Sequence, residues 1–153
     1  MSQTYLLSPD DWLGISFRLC FAMLVGAVIG IERELKNKPA GLRTHMLVSF
    51  GAALLTLIPL LLDENELNSD ALSRVIQGIT AGIGFLGAGE ILRESQQESR
   101  KKIKIHGLTS AAAIWVSAAL GIAAGCGLWQ ISLIGALLCF LVLRVFKKIE
   151  PHS

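Results

Sequence analysis

Long, nearly uncharged apolar blocks constrain this chain more than any other feature. Crossing roughly 30 Å of hydrocarbon as a helix takes about 17 to 25 predominantly apolar residues. Five segments meet that requirement, at residues 12–31, 42–62, 71–92, 108–125 and 128–146. The chain is 52% hydrophobic and only 17% charged, so a water-soluble fold of this size would lack the polar surface to cover so much apolar material. The expected fold is an all-α integral membrane protein with about five transmembrane helices, in a single domain over residues 1–153. A soluble enzyme is not expected, on the same ground. Only Gly125, Cys126 and Gly127 separate the last two segments; that spacing reads as a tight hairpin, with one kinked helix as the alternative.

Loop charge sets the expected orientation, because short cytoplasmic loops collect Lys and Arg. Arg33, Lys36, Lys38 and Arg43 lie in the first connection; Arg93, Arg100, Lys101, Lys102 and Lys104 lie in the third; Arg144, Lys147 and Lys148 lie in the tail. The N-terminal residues and the connection Asp63 to Asp70 carry acids and no basic residue. The N-terminus is therefore expected outside and the C-terminus inside, with Trp129 at the outer interface. Asp10 and Asp11 precede the first block where a cleavable leader would have basic residues, so no leader is expected.

A net charge of +2 is far too small for a phosphate-binding surface, so nucleic acid is not an expected partner. Cys20, Cys126 and Cys139 are odd in number and sit within apolar runs, where cysteine acts as a small hydrophobe. Neither a disulfide nor a metal site nor a cofactor is expected. His45 has no second His or Cys at ligand spacing, and no nucleophile, base and orienter combination is present, so the chain is not expected to be an enzyme.

Gly82-Ile83-Gly84-Phe85-Leu86-Gly87 has the form of a dinucleotide fingerprint, but it lies inside a membrane run rather than between a strand and a soluble helix. The stronger reading of Gly26, Gly30, Gly78, Gly82, Gly84, Gly87 and Gly89 is close helix packing, since small residues let helix axes approach in lipid. A locally unwound functional segment is the alternative. Arg18, about 9 Å below Trp12 at 1.5 Å per helical residue, and Arg74 are intramembrane charges. Each reads either as an outward anchor pairing with Asp10, Asp11, Asp63 or Asp70, or as part of an ion pathway.

The alternating topology brings four helix ends together on the inner side. They deliver Glu32, Arg33 and Glu34; Lys38, Arg43, Thr44 and His45; Glu90; and Thr109 and Ser110. Carboxylates and an arginine beside small hydroxyls suit binding of a cation, a proton or a phosphate, and equally suit salt bridges and helix capping. Arg43 is expected to form a coupled ionic cluster with at least one of Glu32 and Glu34, whereas Lys36 is assigned to the open loop.

Arg18, Gly26, Gly30, Glu32-Arg33-Glu34 and Lys38-Pro39-Ala40-Gly41-Leu42-Arg43-Thr44-His45 together resemble the start of the bacterial MgtC/SapB membrane-protein family. Residues 82–89 and Gly107-Leu108-Thr109-Ser110-Ala111-Ala112, with Trp115, resemble its later motifs in the same order. The resemblance covers about residues 12 to 146 and is that of a member made of the membrane part alone, lacking the soluble C-terminal domain of MgtC. It implies a bacterial inner-membrane protein linked to magnesium limitation and virulence. It also implies a membrane partner such as the ATP synthase, which MgtC-like members are held to inhibit. The expected function is a non-enzymatic regulator or adaptor embedded in the bilayer, itself a homo-oligomer and docked on a membrane partner. The alternative is a small oligomeric cation or proton transporter or channel.

Overall fold

The computed structural model describes residues 8–62, 69–97 and 107–145. They form five helices: α1 (Trp12–Leu35), α2 (Leu42–Leu62), α3 (Ser69–Gln97), α4 (Leu108–Gly125) and α5 (Trp129–Val145). The first four are long and apolar enough to cross a membrane, and α5 is an apolar helix of 17 residues. The acidic residues 63–68, the Arg100–Lys104 run, Lys147 and Lys148 lie outside the described residues, so the charges that set the expected orientation are mostly beyond them.

Local chemistry fixes the helix ends. Asp11 caps α1, its carboxylate accepting from Gly14 N at 2.9 Å and so satisfying one of the free amides of the first turn. The other end of α1 runs one turn past the expected Ile31. It stops where Asn37 takes φ 51° and the chain turns back. Gly127 stands at φ 76°, a conformation that costs glycine little, and it makes the turn between α4 and α5. These two are separate helices, and the single kinked helix is excluded.

α4 is the hub, touching every other helix, while α3 touches only α4 and α2. The sequence of α4, LTSAAAIWVSAALGIAAG, accounts for this: Ala, Gly and Ser leave little between its backbone and its neighbours. A Cβ on Gly121 would overlap the Ser49 carbonyl of α2, and one on Gly125 would lie 2.9 Å from Ala53 O. From α1, Gly26 and Gly30 meet α2 in the same way, with a Cβ on Gly30 falling 2.7 Å from the Leu42 Cα. Close packing was expected of these two and holds.

The glycines of α3 behave differently. A Cβ on Gly78, Gly82, Gly84 or Gly89 would meet nothing within 4 Å, and only Gly87 rests against another helix, 3.4 Å from the Ala111 Cβ. The packing expected at those four positions is absent within this chain, because α3 lies at the edge of the bundle and turns them outward.

The outer surface is apolar, and several polar side chains are enclosed within the bundle. Arg18, Glu32, Arg33, His45, Ser49, Thr56, Ser117 and Ser132 are buried, whereas Leu13, Leu35 and Phe85 are about four-fifths exposed at 85%, 79% and 81%. An apolar exterior with polar side chains turned inward among apolar ones is what a lipid solvent selects, and the chain is a multi-pass membrane protein.

Candidate functional site

The residues expected to converge where α1 ends and α2 begins separate into distinct groups. The first centres on Glu32, whose side chain is 4% exposed. Glu32 Oε2 accepts from Arg33 Nε at 2.6 Å, and Oε1 is paired with Lys36 Nζ. Lys36 also donates to the Leu143 carbonyl of α5 at 2.8 Å. The extra turn of α1 creates this arrangement, since residues four apart share a helix face. One carboxylate between two cations is fully compensated and offers little to an incoming metal ion.

Glu34 is exposed, and its Oε2 accepts from Leu42 N at 2.9 Å, which caps the first turn of α2. A Cβ on Gly41 would run into that carboxylate, so glycine there lets the cap close. Arg43 is exposed and makes no ion pair among the described residues. The expected coupling of Arg43 to Glu32 or Glu34 is therefore absent, and Lys36, assigned to the open loop, holds that place. Lys38 and Thr44 are partly buried, and the Lys38 amide closes the turn onto Arg33 O at 3.0 Å.

A second group lies deeper, between α1, α2 and α4. His45 is wholly buried, and its Nδ1 is hydrogen bonded to Ser117 Oγ at 2.8 Å. Ser49, one turn further along α2, is also fully buried, against Gly26 and Gly121. Neither serine was singled out from the sequence, where each reads as filler in an apolar run. Glu90 on α3 and Ser110 on α4 are buried, while Thr109 is exposed. The Arg93 side chain and His106 lie outside the described residues. Among the described residues no three His, Cys, Asp or Glu side chains come together as a metal centre requires.

Arg18 occupies the opposite end of the bundle. It is 3% exposed, donates from Nη1 to the Gly125 carbonyl at 2.8 Å, and lies 5.8 Å from the Trp129 ring centre. Phe17 and Phe21 meet the same ring at 5.0 and 5.3 Å. Rather than pairing outward with Asp10 or Asp11, the guanidinium turns inward, where the carbonyl end of α4 carries partial negative charge. Cys126 does not supply the counter-charge: burial pushes its thiol above the ordinary range, against the pull of Arg18, which favours the neutral form. Arg74 is exposed on α3.

One further feature was not anticipated. An apolar groove of about 520 Å³ runs between α2 and α3, lined by Leu47, Gly51 and Leu55 from α2 and by Gly78, Gly82 and Leu86 from α3. Glycines on both helices line it without side chains to fill it, a coincidence invisible in either segment alone.

Comparison with known proteins places these features in context. The profile of the MgtC family matches residues 19–152. The chain is 49% identical to Protein SrpB of Synechococcus elongatus, over 94% of this chain and 81% of SrpB. It is 38% identical to the protein named putative magnesium transporter YhiD of Escherichia coli, over 86% of this chain and 60% of YhiD. With Protein SapB of Bacillus subtilis the identity is 37%, over 99% of this chain and 64% of SapB. The chain thus spans less than two thirds of the length of YhiD and SapB. No solved structure matches it.

Proposed function

Because the chain belongs to the MgtC family, we propose that it is a non-enzymatic regulator or adaptor of the bacterial inner membrane. It acts by seating a transmembrane helix of a partner protein in the groove between α2 and α3. The groove carries this reading. Its lining is almost wholly apolar, so it suits neither an ion nor a polar metabolite. Gly51, Gly78 and Gly82 in that lining let another backbone come to van der Waals distance, which a helix exploits and a flexible acyl chain does not need. The N-terminus lies outside and the C-terminus inside. The family resemblance connects the role to magnesium limitation and virulence and makes the ATP synthase the first partner to try.

A cation or proton transporter is the second reading, favoured by the buried polar residues Glu32, His45, Ser49, Thr56 and Arg18 and by the name of YhiD. Two observations weigh against it. Glu32 is already neutralised by Arg33 and Lys36, and contacts at Gly26, Gly30, Gly121 and Gly125 close the interior at backbone distance.

Filling the groove separates the two. Gly82→Leu should leave yield and thermal stability unchanged, because a Cβ there meets nothing within 4 Å. It should abolish complementation of a deletion strain under magnesium limitation. Liposomes containing the purified protein should pass Mg²⁺ and protons no faster than empty ones. Full complementation by Gly82→Leu, together with flux that Glu32→Gln removes, would establish the transporter instead.

A further inference from the structure

The outward edge of α3 lies beside the groove and is a different surface. Asp70, Arg74, Gln77, Ala81, Gly84 and Ala88 are all exposed. Their spacing alternates between four and three residues, the 3.5-residue period that keeps one edge of a helix against a neighbour. Toward the end at Ala88 the edge is small and apolar, and toward the end at Asp70 it is polar and charged. Lipid is a poor cover for the polar part. Gln77 lies about 12 Å along the helix from Ser69 at 1.5 Å per residue. Among the described residues its amide makes one long contact, to Ser73 Oγ at 3.4 Å. Asp70 and Arg74 enter no ion pair among the described residues.

We propose that a second copy of this chain covers this edge, packing α3 against α3 in parallel about a two-fold axis normal to the membrane. Two copies inserted in the same direction can meet only in parallel, and an isologous interface requires a surface complementary to itself. This one is. Gln77 faces its own counterpart, and a carboxamide both donates and accepts. Arg74 of each copy lies one turn from Asp70 of the other, placing opposite charges together. Ala81, Gly84 and Ala88 bring the backbones close, and Phe85, 81% exposed beside them, packs over the small residues of the opposing helix. A foreign helix would need its own matching carboxamide and charge pair; a second copy supplies both by symmetry. The pairing uses neither wall of the groove and leaves it open.

Cross-linking in native membranes tests this. With Cys20, Cys126 and Cys139 replaced by alanine, single cysteines at Gly84 or Ala88 should form a disulfide-linked species of twice the chain mass. A cysteine at Leu24, exposed on α1, should not. Gly84→Leu should convert the protein in nanodiscs from dimer to monomer with unchanged helical circular dichroism. Gln77→Leu should weaken association about threefold, the average worth of one interhelical hydrogen bond in lipid. Gly82→Leu, which fills the groove, should leave the dimer intact. A folded monomer without cross-links at either α3 position would overturn the proposal. So would a cross-link at Leu24 in place of those on α3, or an α3 adduct of a mass other than twice the chain. None of these outcomes bears on occupation of the groove.

Discussion

Gly121→Leu should sharply lower folded yield and melting temperature, whereas Gly78→Leu, an identical substitution one helix away, should leave both nearly unchanged. A Cβ at position 121 would overlap the Ser49 carbonyl and lie 2.8 Å from the Ser49 carbonyl carbon. The obstacle is backbone, so no rotamer change relieves it. Relief requires α2 and α4 to separate, which breaks the bond between His45 and Ser117 and opens the contact of Gly125 with Ala53. Overpacking usually costs about 1–3 kcal/mol where side chains can yield; a rigid obstacle puts this case at the upper end or beyond. That is a large share of a total stability of about 5–15 kcal/mol. At Gly78 a Cβ meets nothing within 4 Å. Monodisperse yield and melting temperature in detergent check both, and a Gly121→Leu protein melting with the parent would show that the two helices are not in backbone contact.

Removing Glu32 should be the next most damaging change. Glu32→Ala leaves Arg33, 3% exposed, as an unpaired buried cation, a loss of about 3–5 kcal/mol where burial is full. Lys36→Ala removes one of two cations and the tie to the Leu143 carbonyl. Because Lys36 is 23% exposed, its expected cost is smaller, about 1–2 kcal/mol. Arg43→Ala, on an exposed side chain, should stay within about 0.5 kcal/mol of the parent. A double-mutant cycle between Glu32 and Lys36 should show strong coupling, and one between Glu32 and Arg43 should be additive. Coupling of Arg43 but not Lys36 would restore the arrangement expected from the sequence.

The contrast between Lys36 and Arg43 shows where sequence reading succeeds and where it stops. Apolar length alone located all five helices, because no other solvent permits such blocks and each must satisfy its backbone internally. The end of α1 was placed at Ile31, where apolar residues give out, but hydrogen bonding carries the helix to Leu35. That single extra turn puts Lys36 on the face of Glu32 and takes the cluster from Arg43. A charged helix end resembles a loop in composition, and only its continued winding decides which charges meet.

The glycines carry the same lesson. Gly26 and Gly82 are equivalent in composition and surroundings, yet one is pressed against α2 and the other faces outward, because contact belongs to two helices at once. Ser49 and Ser117 were illegible for that reason too. What singles them out is enclosure beside His45, and a serine in an apolar run carries no mark of the helix it will face.

The groove reading is tested most directly by a photo-reactive amino acid at Leu55, on the wall formed by α2. The full chain carrying it would be expressed in cells at native levels and irradiated. One discrete adduct should form, identified by mass spectrometry as the same membrane protein in every preparation, and Gly82→Leu should eliminate it by filling the groove. Adducts with phospholipid alone, undiminished by Gly82→Leu, would contradict the account, since the groove would then be part of the lipid-facing surface and not the seat of a partner helix.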